Sequence, residues 1–392
     1  MITSPTDSKL TISMVLMTYP VASETFAVRD VTALQRAGHV VDIHQLYARG
    51  ERSSRLSSLI KTLKAFANFP AKANIIALVA KVLFRGSWGL ADRVKCLLLL
   101  GAAVRIAEKL IQRKPDVVHL FWGHYPSLVL PLLAGQLPHT RRSMFLGAYD
   151  LEKKLPLSRW AYAEADVLFT HARANVEDIR GFLGHNTTPV VVHRGIDLQA
   201  YPVVEVSAFV ARPLRIFTAG RLIADKGFDR VIRAFALVRQ SSAQATLAIA
   251  GSGPELGALQ RLAEGLGVAN AVDFVGWLSE DQVREQLFKT RVFLLLSTKA
   301  GERLPNAVKE GMAAGCVCIS SRSPGIEELL DHGSSGYIFD ADDESEVVRA
   351  VLCGLSDDSA SMGCLAAATV RENFDVNVSA RRYVQQWCAE GV

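Results

Sequence analysis

The sequence predicts an α/β protein built from two doubly wound, parallel-sheet domains. Three observations carry this. Short apolar runs alternate with stretches of helical period along most of the chain. The runs are close to continuously apolar, as in parallel strands covered on both faces. At 392 residues the chain is too long for one small core and suits two domains. Hydrophobic residues make up 49% and charged residues 21%, a balance that excludes a disordered chain.

In the first half, "LTISMVLM", "HVVDIHQL", "DVVHLFW", "RSMFLGAY", "DVLFTHA" and "TPVVVHRG" are strand candidates with helical stretches between them. The order is interrupted by a segment over 49–114 of mostly helical pattern. "LQAYPVVEVSAFVARP" (198–213) has no clear period and two prolines, which marks a linker. The expected domains are 1–205, rejoined by a carboxyl-terminal helix over 375–392, and 206–374. Two such domains in series predict a ligand cleft between the carboxyl ends of two sheets.

The second half is more legible. "LRIFTAG" (214–220) leads into "GFDRVIRAFALVRQ", where Phe228, Val231, Ile232, Phe235 and Val238 fall at helical spacing. "ATLAIAG" leads into "PELGALQRLAEGLG", with proline near the helix start and glycine past its end. "AVDFVGW" is a strand, and Ser279 with Gln282 opens "SEDQVREQLFKT" at capping-box spacing. "RVFLLLS", "CVCIS" and "GYIF" are further buried-type strands, each expected to follow a helix.

Formal net charge is +5, but fourteen Lys/Arg stand against three acids between Arg49 and Lys114, an excess of eleven, so the remainder carries −6. The six cysteines are scattered. Cys316 and Cys318 share a strand face, yet no second ligand pair follows, which argues for reduced thiols and against zinc. The amino terminus lacks a signal-peptide pattern, and the longest apolar runs fall short of the ~20 residues needed to span a bilayer. A cytoplasmic protein, with the inner membrane face as a further location, is the expectation.

Four stretches could carry chemistry. "AGRLIADKG" (219–227) places Arg221 and Lys226 on a strand-to-helix loop, where they can neutralise a diphosphate; two solvated cations are the alternative. "GSGPEL" (251–256) brings glycines to a tight turn, but Leu256 stands where a dinucleotide fingerprint needs Gly or Ala. "SPGIEELL" (323–330) sets Gly325 and Ile326 before a short helix, whose start favours phosphate. In "GERLPNAVKEGMAAG" (301–315), Glu302 sits on a loop, Pro305 suits the first helical position, and Glu310 lies ~7 Å further along the axis at ~1.5 Å per residue. Each glutamate can accept paired hydrogen bonds from a vicinal diol; a solvated helix end is the alternative.

In their order, "AGRLIADKGFDRVIRAF", "LAIAGSGPE", "GERLPNAVKEGMAAGC" and "SPGIEELLDHGSSGYIF" resemble the carboxyl half of the retaining glycosyltransferases of family 4, over essentially all of 212–342. The resemblance implies a GT-B fold and a nucleotide-diphosphate sugar as donor, with no cofactor. It implies that Arg221, Lys226, Gly325 and Ile326 hold the diphosphate. Glu310 would take the ribose and Glu302 the donor sugar or the charge developing on it, with Gly220, Gly251, Gly253, Asn306 and Glu328 around the nucleotide and sugar.

The first half is similar more loosely, through "YPVASETFAVRDVTALQRAGHVVDI" and "VVVHRGIDLQAY". Family members commonly carry a histidine three residues before an aspartate in the segment that reads "LGAYD" here. Asp150 fits the aspartate, but Gly147 occupies the histidine position. His119 and His124 are the candidate substitutes, and Thr25 is a candidate to fill the first loop. The implied catalytic set is Glu302, Asp150 and His124.

No metal is implied, since the cations can neutralise the leaving diphosphate and no Asp-x-Asp stands in a suitable position. The expected acceptor is a saccharide or a lipid-linked saccharide, in surface polysaccharide or glycoconjugate synthesis. The basic segment 49–114 could lie on anionic lipid or be a solvated face over an ordinary core. Nucleic acid is the poorer fit and is not the expected partner, because the segment's aromatic residues follow helical spacing rather than offering stacking platforms. A non-hydrolysing nucleotide-sugar 2-epimerase and an inactive nucleotide-sugar-binding partner are the alternative functions.

Overall fold

The computed structural model describes residues 9–21, 25–47, 64–85, 88–299 and 301–389. Part of the expected basic segment, 49–63, and Ala22, Ser23 and Glu24 of the first loop lie outside the described residues. The chain forms two compact units, residues 1–195 with 376–392, and residues 196–375.

The first unit holds a six-stranded parallel sheet of β1 (Thr11–Leu16), β2 (Val40–Gln45), β3 (Val117–Leu120), β4 (Arg141–Phe145), β5 (Val167–Thr170) and β6 (Val190–Val191). Their spatial order is β2-β1-β3-β4-β5-β6. Successive residues supply opposite faces, as the two-residue period requires. On β1, Val15 enters one core cluster while Ile12, Met14 and Leu16 enter the other. Helices Thr25–Arg36 and Val376–Cys388 cover the latter face, through Val31, Leu34, Tyr383 and Trp387. Helices Lys72–Phe84 and Leu90–Arg113 contribute to the former.

The second unit repeats the plan with β7 (Arg215–Ala219), β8 (Thr246–Ala250), β9 (Val272–Gly276), β10 (Val292–Leu295), β11 (Val317–Ser321) and β12 (Gly336–Phe339), in the order β12-β11-β10-β7-β8-β9. Helix Phe228–Ser241 buries Phe228, Val231, Ile232, Phe235 and Val238, the residues its spacing singled out. The Ser279/Gln282 capping box forms at the start of helix Glu280–Phe288. In each sheet, strand order reverses at one point, between β1 and β3 and between β7 and β10. Loops leaving the carboxyl ends of those strands occupy, within each unit, the position at which open α/β sheets generally bind ligands.

Two expectations need correction. No α-helix separates β11 from β12; "SPGIEELL" makes only a three-residue 3₁₀ turn, Ile326–Glu328. Its apolar residues Ile326, Leu329 and Leu330 are all buried, so burial of a short connection outweighs helical propensity. Residues 196–205 belong to the second unit rather than the first. Ile196 N–H donates to the Phe374 carbonyl at 2.9 Å, and Arg371 donates to the carbonyls of Tyr201 and Pro202, each at 2.6 Å. Within the stretch expected as linker, Val206–Val210 is helical.

Candidate functional site

In the second unit the switch point lies between β7 and β10. Gly220, Arg221 and Lys226 leave β7, and Glu302 follows β10. The two loops are tied together: the Asp225 carbonyl accepts from Thr298 N–H at 2.9 Å and from Ser297 Oγ–H at 3.0 Å. This brings Lys226 Nζ to 2.5 Å from Glu302 Oε1. Glu302 Oε2 is buried with no hydrogen-bond partner among the described residues, an arrangement native structures avoid unless a ligand or water completes it. Arg221 is exposed and makes no ion pair among the described residues. A carboxylate, an ammonium and a guanidinium therefore share one sheet edge.

Leu304, two residues after Glu302, is buried and adopts φ +49°. A left-handed conformation in a bulky residue stores strain that the surrounding packing must hold. The following helix, Asn306–Ala313, carries Glu310 half-buried. Pro305 is its N-cap, not its first helical residue. A Cβ on Gly311 would lie 3.0 Å from both Phe293 Cβ and Cys318 Sγ. The small residues after Glu310 thus let this helix lie directly on the sheet, which fixes where Glu310 stands.

The other expected residues divide. Gly251 and Gly253 are needed for loop packing: an added Cβ would meet the Gly220 carbonyl oxygen at 1.8 Å and that of Leu222 at 2.3 Å. Gly251 also adopts φ +140°. Asn306 is engaged internally, its Oδ1 accepting from the buried Lys309 Nζ at 3.2 Å. The expected helix start at Gly325–Ile326 is corrected. Ile326 N–H already donates to the Ser323 carbonyl at 3.1 Å, and a three-residue turn has little macrodipole to offer a phosphate. Glu328 closes that turn.

In the first unit, His124 follows β3 at the switch point and Asp150 lies in helix Ala148–Lys153 after β4. His124 Nδ1 stands 3.0 Å from Asp150 Oδ1, and Asp150 Oδ2 accepts from Gly147 N–H at 2.9 Å. Asp150 is 1% exposed. With both its oxygens fixed, the carboxylate holds a proton on Nδ1, leaving Nε2 with no hydrogen bond among the described residues. The rings of Trp122, Tyr125 and Tyr149 surround the imidazole at 5.4–5.9 Å. A Cβ at Gly147 would touch Trp122 and Phe145 at 3.4 Å, so aromatic rings line the position where the family's histidine was expected.

His119 does not reach such a site. It is buried in β3 among Phe121, Phe169, Tyr383 and Trp387. Burial, reinforced by the charge of Arg194, pushes its pKa down to about 3. Ser143 Oγ accepts from Trp387 Nε1–H at 2.8 Å and lies 2.9 Å from His119 Nδ1, which suits a neutral ring accepting the Ser143 proton. Thr25 opens helix Thr25–Arg36.

Sequence reasoning missed Arg194. Its guanidinium packs over the rings of Phe26, Phe121, Trp122 and Phe145 at 4.0–5.0 Å, 3.9 Å from Asp30. It braces the aromatic bed beneath the His124 loop. The only signal was one cation after an apolar strand. Among the described residues no group of three or more His, Cys, Asp or Glu is placed to hold a metal ion.

A family model described as "Glycosyl transferases group 1" matches residues 204–368. The chain is 34% identical over 292 residues to N-acetyl-alpha-D-glucosaminyl L-malate synthase of Bacillus anthracis, covering 70% of this chain and 75% of that one. It is 23% identical over 399 residues to the amylovoran biosynthesis glycosyltransferase AmsK of Erwinia amylovora, covering 94% and 97%. Anabaena Alr3699/HepE, solved in complex with UDP and glucose, matches with a TM-score of 0.67 at 14% identity over 96% and 98% of the two chains. Sucrose-phosphate synthase from Thermosynechococcus elongatus matches with a TM-score of 0.68 at 15% identity, again over 96% and 98%. These structural likenesses establish the fold, GT-B.

Proposed function

We propose that this chain, which belongs to the glycosyl transferases group 1 family, moves a hexose from a nucleotide diphosphate to a saccharide or lipid-linked acceptor and retains the anomeric configuration, as the family 4 enzymes it resembles do. The carrying observation is the Lys226–Glu302 pair at the second unit's switch point, with one buried carboxylate oxygen left for a ligand. Arg221 and Lys226 take the diphosphate and stabilise its charge as the sugar–oxygen bond breaks, so the reading requires no metal. Glu302 Oε2 accepts a sugar hydroxyl and offsets positive charge on the ring. Glu310 accepts the ribose hydroxyls.

His124 takes the role left open at Gly147. Asp150 fixes its tautomer, and Nε2 is presented to a sugar hydroxyl. The relatives' printed names, an amylovoran biosynthesis enzyme among them, support a place in polysaccharide or glycoconjugate synthesis.

The test is release of nucleotide from a donor that binds, measured with and without acceptor saccharides, in wild type and in Lys226→Ala. Transfer that needs acceptor and is lost in the folded variant supports the reading. Turnover without acceptor points to epimerisation, and donor binding without any turnover to a binding partner. Wild-type rates in folded Lys226→Ala contradict the site.

A further inference from the structure

Helix Lys72–Phe84 is apolar on both sides. Ile75, Leu78 and Val82 are buried. At the complementary positions Ala73, Ile76, Ala77, Ala80, Leu83 and Phe84 face solvent, with Ile76 70% and Phe84 82% exposed. A surface helix normally turns a polar face outward. The first turns of helix Leu90–Arg113 repeat the anomaly: Leu90 is 77% and Leu98 78% exposed, with Val94 and Leu97 beside them.

These two faces are held together. Arg93 donates to the carbonyls of Val82, at 2.8 Å, and Leu83, so the end of one helix is clamped to the start of the next. The rim is cationic. Lys72, Arg85 and Lys95 are exposed, and residues 64–114 carry ten Lys/Arg against two acids. One of those acids, Asp92, is occupied by the Tyr125 hydroxyl at 2.6 Å. No helix among the described residues is long and apolar enough to cross a membrane.

We propose that the outward face of helices Lys72–Phe84 and Leu90–Arg113 docks on the surface of an anionic phospholipid bilayer, its apolar side chains entering the headgroup boundary and its cations pairing with phosphates. An apolar face rimmed by one sign of charge is the pattern such a surface selects. A second copy of the chain fits less well, because two cationic rims would meet. The docked face is also tied to the candidate site. Asp92 and Lys95, the latter 4.2 Å over the Tyr125 ring, grip the residue that follows His124. A lipid-borne acceptor would then be presented by the same element that positions His124.

The proposal is tested by flotation of the full-length protein, without donor, so its failure leaves the transfer reading standing. Vesicles of phosphatidylcholine alone are compared with vesicles of phosphatidylcholine and phosphatidylglycerol. Wild type is expected to float with the anionic vesicles at low salt and to be released by high salt. The exposed triple variant Ile76→Ser/Phe84→Ser/Leu98→Ser, with wild-type melting temperature, is expected to partition about tenfold or more weakly, since several buried methylenes are lost at once. Lys72→Glu/Arg85→Glu is expected to lose the preference for anionic lipid. Wild type that floats with neither vesicle overturns the proposal, as does a triple variant that floats equally well. Dimerisation by light scattering that the serine changes abolish, without flotation, also overturns it and assigns the face to a second copy.

Discussion

Asp150 grips His124 through one carboxylate oxygen, 3.0 Å from Nδ1, while its other oxygen accepts the Gly147 N–H at 2.9 Å. Both anchors come from a helix start, so the imidazole is oriented by backbone as well as by side chain. A neutral amide at 150 cannot serve both partners with one oxygen. Asp150→Asn would turn an N–H toward Nδ1 and move the ring proton to Nε2.

The expected result for Asp150→Asn is a fall in kcat of about 10² or more, the scale of a misplaced proton-bearing group, with donor affinity unchanged. His124→Ala should match it, and the double variant should be no worse than either, because the pair acts as one unit. Additive losses would show that the two residues act separately.

Glu302→Gln keeps size and shape but removes the charge facing Lys226. If Glu302 offsets positive charge on the sugar, kcat should fall by about 10²–10³, as for loss of one preorganised electrostatic partner. Both side chains retain some exposure, so the melting temperature should stay near wild type. A variant that loses stability but not transfer would make the pair structural.

Acid stability follows from two buried imidazoles. Burial lowers His119 to about 3 and His44 to about 4, against ~6.5 in an unfolded chain. Below the unfolded value the unfolded state binds the extra protons, so stability is full above pH ~6.5 and is lost as pH falls toward the folded values. Urea midpoints should drop through this window. His119→Phe, which leaves Ser143 bonded to Trp387 Nε1–H, should drop less steeply. Identical slopes would place the proton uptake elsewhere.

Two glycines should respond in opposite directions. Gly251→Ala drives a Cβ to 1.8 Å from a backbone oxygen at φ +140°, and should cost more than the ~1 kcal/mol that compatible exchanges gain. At Gly265, which ends helix Leu256–Gly265, a Cβ meets nothing within 4 Å, so alanine should stabilise by ~0.5–1 kcal/mol. Thermal or urea unfolding of the two variants checks both signs.

The inner strands were legible because parallel strands buried on both faces, such as β3, β5, β10 and β11, leave apolar runs that survive without context. What joins residues far apart was not. Lys226 and Glu302 sit 76 residues apart and meet because β7 and β10 are neighbours across the switch point, a fact of strand order. The partnership of His124 with Asp150 depends likewise on β3 beside β4. The turn at Ile326–Glu328 read as a helix because its apolar residues carry the same signal whether they pack from a helix or a tight turn. The outward apolar face of Lys72–Phe84 was legible only as one of two alternatives. A helix apolar on both sides gives no sequence cue to which side is buried, so Ile75, Ile76, Val79 and Leu83 read equally well as a lipid-facing surface and as part of an ordinary core.

The central claim is tested most directly by calorimetry of UDP-, GDP-, ADP- and dTDP-sugars binding to wild type, Glu310→Ala and Lys226→Ala. The account predicts selective binding of one nucleotide by wild type and at least about tenfold weaker binding in each variant, a loss of ~1.4 kcal/mol. Binding by wild type that both folded variants retain in full would contradict it, as would the absence of binding by every donor.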